Sequence, residues 1–169
     1  MVNYEGYHST TLSLAKKIVA THQIFKSVGD KHWLGNGAYF FLDAKWVPWW
    51  WNVKGFLAKD RGCIKCKIAV SEDLFWDIDS PDGKEKLKLA YDLAEEISLR
   101  IGNPVQRPEM TDGAAINFLA AKTKIKVVKG TFSFPPDEYP KSKLLERELQ
   151  IQIAVRDERC VSAIQLCSI

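Results

Sequence analysis

The sequence has no apolar run of the roughly 20 residues that a membrane-spanning helix needs, because charged and polar residues and a proline interrupt the longest candidate. Its first residues also lack the basic and then apolar segments of a secretory signal peptide. At 46% hydrophobic and 27% charged residues, the composition excludes a disordered chain, a coiled coil and a collagenous repeat. We therefore expect a cytoplasmic protein without membrane contact, folded as a single domain over 1–169.

Residues that bind metals are scarce. A zinc site would need a second close cysteine pair or a histidine pair, and the three histidines and four cysteines do not have that spacing. Cys63 and Cys66 fall in a predicted strand, where a spacing of three places the two thiols on opposite faces. We predict buried free thiols and no metal.

Strong charge and phosphate-binding loops are also missing. The net charge is +3, from 24 basic and 21 acidic residues, and no glycine-rich phosphate loop of the common kinds occurs. The charge neither selects nor excludes a nucleic acid as substrate.

Hydrophobic periodicity predicts four helices and several short strands. Helices at the beginning and in the middle of the chain, with strands between and after them, favour an α+β fold over alternating βαβ units. The predicted helices cover 12–21, a tryptophan-bearing segment capped by Asp43, 84–100 after a turn and helix start at 80–83, and 114–123. The predicted strands cover 38–42, 63–70, 125–128, 131–134 after a break at Gly130, 149–155 and 161–167, with a further strand ending at His8.

Three stretches carry the candidate functional residues. At 6–10, Gly-Tyr-His-Ser-Thr places a histidine at a strand end before a helix. At 34–41, two glycines permit a tight backbone before an aromatic strand. At 148–152, Glu-Leu-Gln-Ile-Gln puts three polar side chains on one strand face. Taken singly, each stretch is explained equally well by structure alone: a histidine bonded to its neighbours, a hairpin loop and the solvated face of an edge strand.

In this order the stretches resemble the diphtheria-toxin and poly(ADP-ribose)-polymerase branch of the ADP-ribosyltransferases. In that family two strand motifs bind NAD: a strand end with the sequence His-Gly-Ser/Thr and a strand with the sequence Leu-Gly-x-Gly-x-Tyr-Phe. The resemblance covers 4–51 and returns at 148–161. It implies an ADP-ribosyltransferase fold, in which a split, mostly antiparallel sheet and flanking helices surround an NAD cleft.

Carried over to this sequence, the resemblance implies a role for each matched residue. His8 would bond the adenosine ribose, the backbone at Ser9 would hold the nicotinamide amide, and Tyr39 would stack on the nicotinamide ring. A tryptophan of the following helix (Trp46, Trp49 or Trp50) would cover the other side of that ring. The implied NAD-binding residues are His8, Ser9, Thr10, Gly37, Tyr39, Trp46 and Trp50. The loop 26–37 would border the dinucleotide.

The tryptophan segment also has an interpretation from the residues alone. At helical spacing Trp46, Trp49 and Trp50 share one face, which ordinary core packing would explain. Trp51 points away from that face, and we expect an exposed indole there, which a ligand or partner would have to explain.

Two positions depart from the family pattern. Ser9 replaces a small glycine beside the ligand, and the late strand has Gln152 where the family carries a catalytic glutamate. A glutamine bonds a ribose hydroxyl but takes no proton at neutral pH. Two alternatives remain for the late strand, in which Gln150 lies between Glu148 and Gln152. Either the match to the family pattern shifts along the strand and Glu148 is catalytic, or Gln152 orients NAD. We favour a catalytic set of His8, Tyr39 and Gln152 with Glu148 assisting.

The function that the resemblance implies is single transfer of ADP-ribose from NAD to a macromolecule, as in small bacterial toxins that an antitoxin protein silences, including those of phage defence. Nucleic acid (RNA or DNA) is narrowly favoured over protein as acceptor. Six lysines would form either a basic strip beside the cleft or a solvated strand face, and we favour the second: Lys65, Lys67, Lys122, Lys124, Lys126 and Lys129. The alternatives are an NAD glycohydrolase and a non-catalytic module that binds NAD or ADP-ribose.

Overall fold

Seven strands and four helices alternate irregularly along the part of the chain that the computed structural model describes, residues 1–102, 109–134 and 148–169. The strands are β1 (Val2–Thr11), β2 (Ala38–Phe41), β3 (Arg61–Val70), β4 (Phe75–Asp77), β5 (Val127–Phe134), β6 (Glu148–Val155) and β7 (Val161–Leu166). The helices are α1 (Leu12–Thr21), α2 (Trp46–Val53), α3 (Pro81–Arg100) and α4 (Asp112–Lys122). The predicted stop after α3 at Asn103 and the proline-containing loop before β6 lie outside the described residues.

All seven strands form one mixed sheet in the order β4-β5-β6-β2-β1-β3-β7, in which only β4 and β5 run parallel. The pairing of β1 with β3 extends over all ten residues, from Val2↔Val70 to Thr11↔Arg61. In contrast, β1 and β2 meet at a single pair, Tyr7↔Phe41. The α+β prediction is confirmed, and the two halves of the sheet splay apart between β2 and β1.

Polar caps explain where three helices begin. The hydroxyl oxygens of Thr11, Ser80 and Thr111 accept hydrogen bonds from backbone N–H groups three residues later, at 3.3, 2.9 and 3.1 Å. Such caps satisfy donors that have no partner within the helix. The helix α1 matches its predicted bounds, and α3 begins at Pro81, within the predicted helix start at 80–83. The helix α4 begins two residues earlier than predicted.

Buried apolar residues cover both faces of the sheet in three clusters. Helix α1 packs Ala15 and Ile18 against strand residues such as Ile64 and Ile153. Helices α3 and α4 pack a second cluster that includes Trp76 and Ala154, and α2 packs a third with Phe41 and Cys63. The thiols of Cys63 and Cys66 belong to different clusters, as their spacing predicts.

The predicted break at Gly130 is wrong, since β5 is continuous from Val127 to Phe134. Gly130 pairs with Gln152 on β6, and a Cβ atom at this glycine would lie 2.8 Å from Cδ2 of Leu34. The glycine makes room for a side chain of the loop above it and does not interrupt the strand.

The tryptophan helix differs from its prediction in two ways. It begins at Trp46, and Asp43 holds the preceding turn, where its carboxylate accepts from the Lys45 backbone at 3.0 Å. The indole of Trp51 is buried: its Nε1 donates to the Gly62 carbonyl at 3.1 Å, and the Arg61 guanidinium lies over its ring. The expected exposed indole is therefore wrong, because the beginning of β3 covers that side of α2.

The basic strip does not form. Lys65 on β3 and Lys129 on β5 lie on strands separated by three others in the sheet order. Lys65 pairs with Glu5 at 2.9 Å, and Lys129 contacts Asp77 and Asp79 at 2.8 and 3.0 Å. Lys126 pairs with Asp157 at 3.1 Å. Half of the predicted strip is thus paired with carboxylates.

Candidate functional site

A cleft of about 490 Å³ lies where the sheet splays, and helices α1 and α2 each contribute a lining residue to it, Leu14 and Trp50. Tyr39, Phe41 and Gln152 share one face of the sheet, because Phe41 pairs directly with Gln152 across β2 and β6. The end of β1, helix α2 and the loop between α1 and β2 supply the walls. The lining residues are His8, Ser9, Thr10, Leu14, Phe25, Lys26, Ser27, Lys31, His32, Trp33, Tyr39, Phe41, Trp50, Lys54, Phe56 and Gln152.

His8 bridges the two halves of the sheet. Its strand does not end there, as predicted, but runs three residues further and pairs with β3 up to Thr11. The imidazole Nδ1 lies 2.8 Å from the Tyr39 carbonyl, which can only accept, so Nδ1 carries the proton. Burial lowers the pKa of His8, although the same hydrogen bond raises it, so the ring is neutral at pH 7. Its Nε2 is left as a hydrogen-bond acceptor.

Tyr39 is held by its hydroxyl. That group donates to the Gly35 carbonyl at 2.7 Å and accepts from the Leu34 backbone N–H at 2.9 Å. Burial raises the pKa of Tyr39 to about 12, so the phenol stays protonated. Because both bonds go to the loop before β2, they fix the ring on the cleft floor, 6.0 Å between centroids from His32.

Gln152, and not Glu148, is the residue of β6 that lines the cleft. Its side chain is buried beside the equally buried Gln150. Glu148 is exposed at the beginning of β6, where its carboxylate lies 3.4 Å from Lys45 Nζ. The structure brings His8, Tyr39 and Gln152 to one cavity and leaves Glu148 outside it.

Ser9 and Thr10 are buried at the cleft wall. The Ser9 hydroxyl donates to the Val47 carbonyl of α2 at 3.3 Å. The extra side chain at this position, compared with a glycine, is therefore bonded to the neighbouring helix and attaches β1 to it.

Of the predicted tryptophans, only Trp50 lines the cleft. Trp46 is buried in the cluster beneath α2, and Trp49 packs edge-on against it at 5.9 Å between ring centroids. Gly37 is not a lining residue either: its N–H and carbonyl pair with Ser27 at 3.0 and 2.9 Å. These two predicted NAD-binding positions, Trp46 and Gly37, support the wall from behind.

The mouth of the cleft is basic and aromatic. Lys26, Lys31 and Lys54 are exposed lining residues without an acidic partner among the described residues, and Lys54 Nζ lies 4.6 Å above the Trp50 ring. Trp33, which is 43% exposed, packs on Phe132 at 4.6 Å between ring centroids. None of the described residues that line the cleft carries a carboxylate. The site therefore favours an anionic ligand with flat rings.

Helix α4 holds the loop that forms one wall. The Asn117 carboxamide accepts from the Asn36 N–H at 2.6 Å and donates to Asp30 at 2.9 Å. Arg156 donates to the carbonyl of Asn36 and to Asn117 Oδ1 at 2.9 and 3.1 Å. A Cβ atom at Gly35 would lie 2.5 Å from Asn117 Oδ1, so the glycine is needed for this close approach.

Sequence reasoning missed Asn117, Arg156 and Lys54. It included Lys26, Lys31 and His32 only as members of the loop 26–37, whose predicted place beside the cleft agrees with the lining residues. The two glycines at 35 and 37 marked the loop as a candidate site. No sequence pattern within the loop predicts its contact with Asn117, which is 81 residues beyond Asn36. The lysines at 26, 31 and 54 are far apart in the chain, so no charge run marks them.

Comparisons with known proteins give one relative. The chain is 25% identical to an uncharacterized protein of Methanocaldococcus jannaschii, in an alignment that covers 95% of this chain and 79% of the relative. No family model matches the chain. No solved structure matches it.

Within residues 1–102, 109–134 and 148–169, no helix has the length and apolar character required to cross a bilayer. The same residues contain no group of three or more histidine, cysteine, aspartate or glutamate side chains arranged to hold a metal ion.

Proposed function

We propose that this chain is an NAD-dependent mono-ADP-ribosyltransferase with an ADP-ribosyltransferase fold. The observation that carries the proposal is the convergence of His8, Tyr39 and Gln152, from three separate strands, on one cleft with a basic mouth. The splay between β2 and β1 is compatible with the split sheet that the resemblance implies. A volume of about 490 Å³ is in the range of small-molecule sites.

Each group of the cleft has a task that its chemistry permits. Neutral His8 accepts a hydrogen bond from a ribose hydroxyl at Nε2, since Nδ1 is already used. The Tyr39 and Trp50 rings offer flat faces to the nicotinamide, and the lysines at 26, 31 and 54 are suited to the pyrophosphate. Gln152 bonds a hydroxyl of the nicotinamide ribose.

The reaction breaks the bond between nicotinamide and the ribose carbon, gives its electron pair to nicotinamide, and joins that carbon to an acceptor atom that loses a proton. The protein contributes position and charge placement. Since Gln152 takes no proton and no carboxylate lies among the described lining residues, the acceptor brings a good nucleophile or loses its proton to solvent or to Nε2 of His8. This favours single transfers over polymer elongation.

For the acceptor, we favour a nucleic acid over a protein. The exposed indole of Trp33 and the lysines at 26, 31 and 54 surround the mouth, and single strands bind through base stacking and phosphate contacts of this kind. The argument for a nucleic-acid acceptor therefore rests on these three lysines and not on the strip of six lysines considered from the sequence, which does not form.

One observation favours a second candidate, a non-catalytic module that binds NAD or ADP-ribose. The described lining residues offer aromatic, basic and amide groups but no general base with a carboxylate. Such a cleft is sufficient for binding. An NAD glycohydrolase, with water as acceptor, is the third candidate.

The test is incubation of the purified protein with NAD labelled in the adenosine, together with separate pools of RNA, DNA and protein. We expect label fixed to RNA or DNA, with nicotinamide released. Label fixed to protein alone would overturn the acceptor, free ADP-ribose would indicate hydrolysis, and bound but intact NAD would indicate the module. Absence of NAD binding would end the proposal.

Two variants connect the activity with the cleft. We expect His8→Ala and Tyr39→Ala each to lower transfer at least 100-fold while the far-ultraviolet circular dichroism is retained, because each removes a group that contacts NAD. Glu148→Ala, outside the cleft, is the matched control and should retain most activity. If the protein is a toxin, its induced expression arrests bacterial growth and His8→Ala relieves the arrest. Full activity of either cleft variant contradicts the assignment.

A further inference from the structure

Two glutamines lie side by side on β6, and both are buried: Gln150 is 0% and Gln152 is 6% exposed. Their spacing of two puts both side chains on the same face of the strand. Only Gln152 reaches the cleft. Gln150 lies two pairs further along the ladder, opposite Phe132, on which Trp33 packs.

The buried amide of Gln150 is unfavourable for stability by itself. Its Nε2 has no hydrogen-bond partner within the described part of the chain. A buried donor that gives up water without gaining a partner destabilises the folded state, whereas an apolar side chain of similar size would not. The carboxamide at this position therefore needs an explanation other than packing.

The oxygen atom of the same Gln150 carboxamide provides that explanation. Gln152 Nε2 donates a hydrogen bond to Gln150 Oε1. This bond uses one of the two N–H groups of Gln152 Nε2 and fixes the plane of its carboxamide. It leaves Gln152 Oε1, which has no partner among the residues described, available to a ligand as an acceptor.

We propose that Gln150 is a positioning residue that holds the Gln152 carboxamide with its oxygen available to the cleft. The cleft floor then presents a hydrogen-bond acceptor, which favours a ligand group that donates, such as a ribose hydroxyl. The choice of a ribose hydroxyl rests on the proposed function. The orientation of the carboxamide rests on the hydrogen bond between Gln152 and Gln150.

The first test reads the orientation without any ligand. In ¹⁵N-resolved NMR spectra, the side-chain amide protons of Gln152 should exchange slowly with solvent in the unmodified protein. In Gln150→Leu, which keeps the size but removes the acceptor, they should exchange at least tenfold faster. Leu149→Ala, an exposed change on the same strand, should leave the exchange unaltered. Equal exchange in Gln150→Leu and the unmodified protein overturns the proposal.

The second test is a double-mutant cycle on NAD affinity, measured by titration calorimetry with Gln150→Leu, Gln152→Ala and both changes together. We expect Gln150→Leu to weaken binding about tenfold while the melting temperature is unchanged or higher, and to have no further effect once Gln152 is alanine. Independent losses in the double variant, or a loss of stability that accounts for the weaker binding, overturn the positioning role.

The two tests separate this inference from the proposed function. If the unmodified protein does not bind NAD, the proposed function fails, and the exchange measurement still decides whether Gln150 orients Gln152. If NAD binds and Gln150→Leu binds it equally well, the positioning role fails while the proposed function stands.

Discussion

Gly35 and Gly55 share a left-handed backbone, at φ of 72° and 67°, but differ in their surroundings. A Cβ atom at Gly55 meets nothing within 4 Å, whereas one at Gly35 lies 2.5 Å from Asn117 Oδ1. Alanine substitutions at the two glycines therefore separate two contributions to the free energy of unfolding: the left-handed backbone conformation and the close approach of Asn117.

We expect Gly55→Ala to lower the free energy of unfolding by about 1 kcal/mol, from the left-handed conformation alone. Gly35→Ala should cost at least about 2 kcal/mol more, because Asn117 must move and lose its hydrogen bonds. Urea denaturation measures both values, and equal losses would show that Asn117 adapts without cost.

For single residues, hydrophobic periodicity predicted the burial of some side chains well and that of others poorly. Alternation along β6 correctly placed Gln150 and Gln152 on one strand face, but the solvated face of an edge strand is wrong for them, because β6 is paired on both sides and both side chains are buried. The helical pattern failed at Trp51, because α2 is short and β3 covers its far side through the Gly62 carbonyl. A wheel projection shows which face a residue is on, but it does not show which other segments pack there.

Among the elements, α4 has the clearest connection with the cleft, since a single side chain, Asn117, bonds Asp30, Asn36 and Arg156. We expect Asn117→Ala to destabilise the fold by about 2 kcal/mol. It should also speed amide hydrogen exchange over 29–37 and weaken NAD binding severalfold, because the loop loses its attachment.

Thr123→Ala is the matched control on the same helix. The Thr123 hydroxyl donates to the Leu119 carbonyl at 3.0 Å and contacts no part of the loop. Exchange measured by mass spectrometry over 29–37 should be the same as in the unmodified protein. A similar increase in both variants would mean that α4 acts by general stability rather than through Asn117.

Elements that carry a local signal were predicted, and those that depend on partners were not. Helix α1 has an apolar stripe and a capping threonine, and its bounds were right. Strand β4 has only three residues and exists because Phe75–Asp77 pairs with β5. Too short to show periodicity, it was missed.

For the whole molecule, the half-buried His8 makes stability depend on pH. Burial lowers the pKa of His8 in the folded protein below its unfolded value near 6.5, so the unfolded chain binds the extra proton more readily. The stability that His8 contributes is therefore complete above pH 6.5 and is lost as the pH falls below it. The expected slope is at most about 1.4 kcal/mol per pH unit.

Urea denaturation between pH 5 and 7.5 measures this slope. Hydrogen bonds hold the pKa of Asp79 and Asp157 below the ordinary value, so their contributions are lost only below about pH 4 and do not interfere. His8→Asn should flatten the profile, and His22→Asn, at an exposed position, should not. An unchanged slope in His8→Asn would assign the effect to another group.

The candidate site was predictable only where it follows the strands. His8, Tyr39 and Gln152 lie at strand positions whose neighbours are set by pairing, and their convergence agrees with the resemblance. The mouth and the loop wall depend on contacts across 39 to 120 residues, such as those of Arg156 with Asn117 and Asn36. Such contacts leave no local pattern in a single sequence.

The position of β6 between β5 and β2 has a consequence for the order in which the protein folds. Strand β2 pairs with β6 along its whole length and with β1 at one residue only, so it has little to hold it until residue 155 is available. During synthesis β1 and β3 can already pair, while Tyr39 still lacks its neighbours. The cleft is thus completed late, after nearly the whole chain has been made, and ligand binding should be the last property that a refolding chain regains.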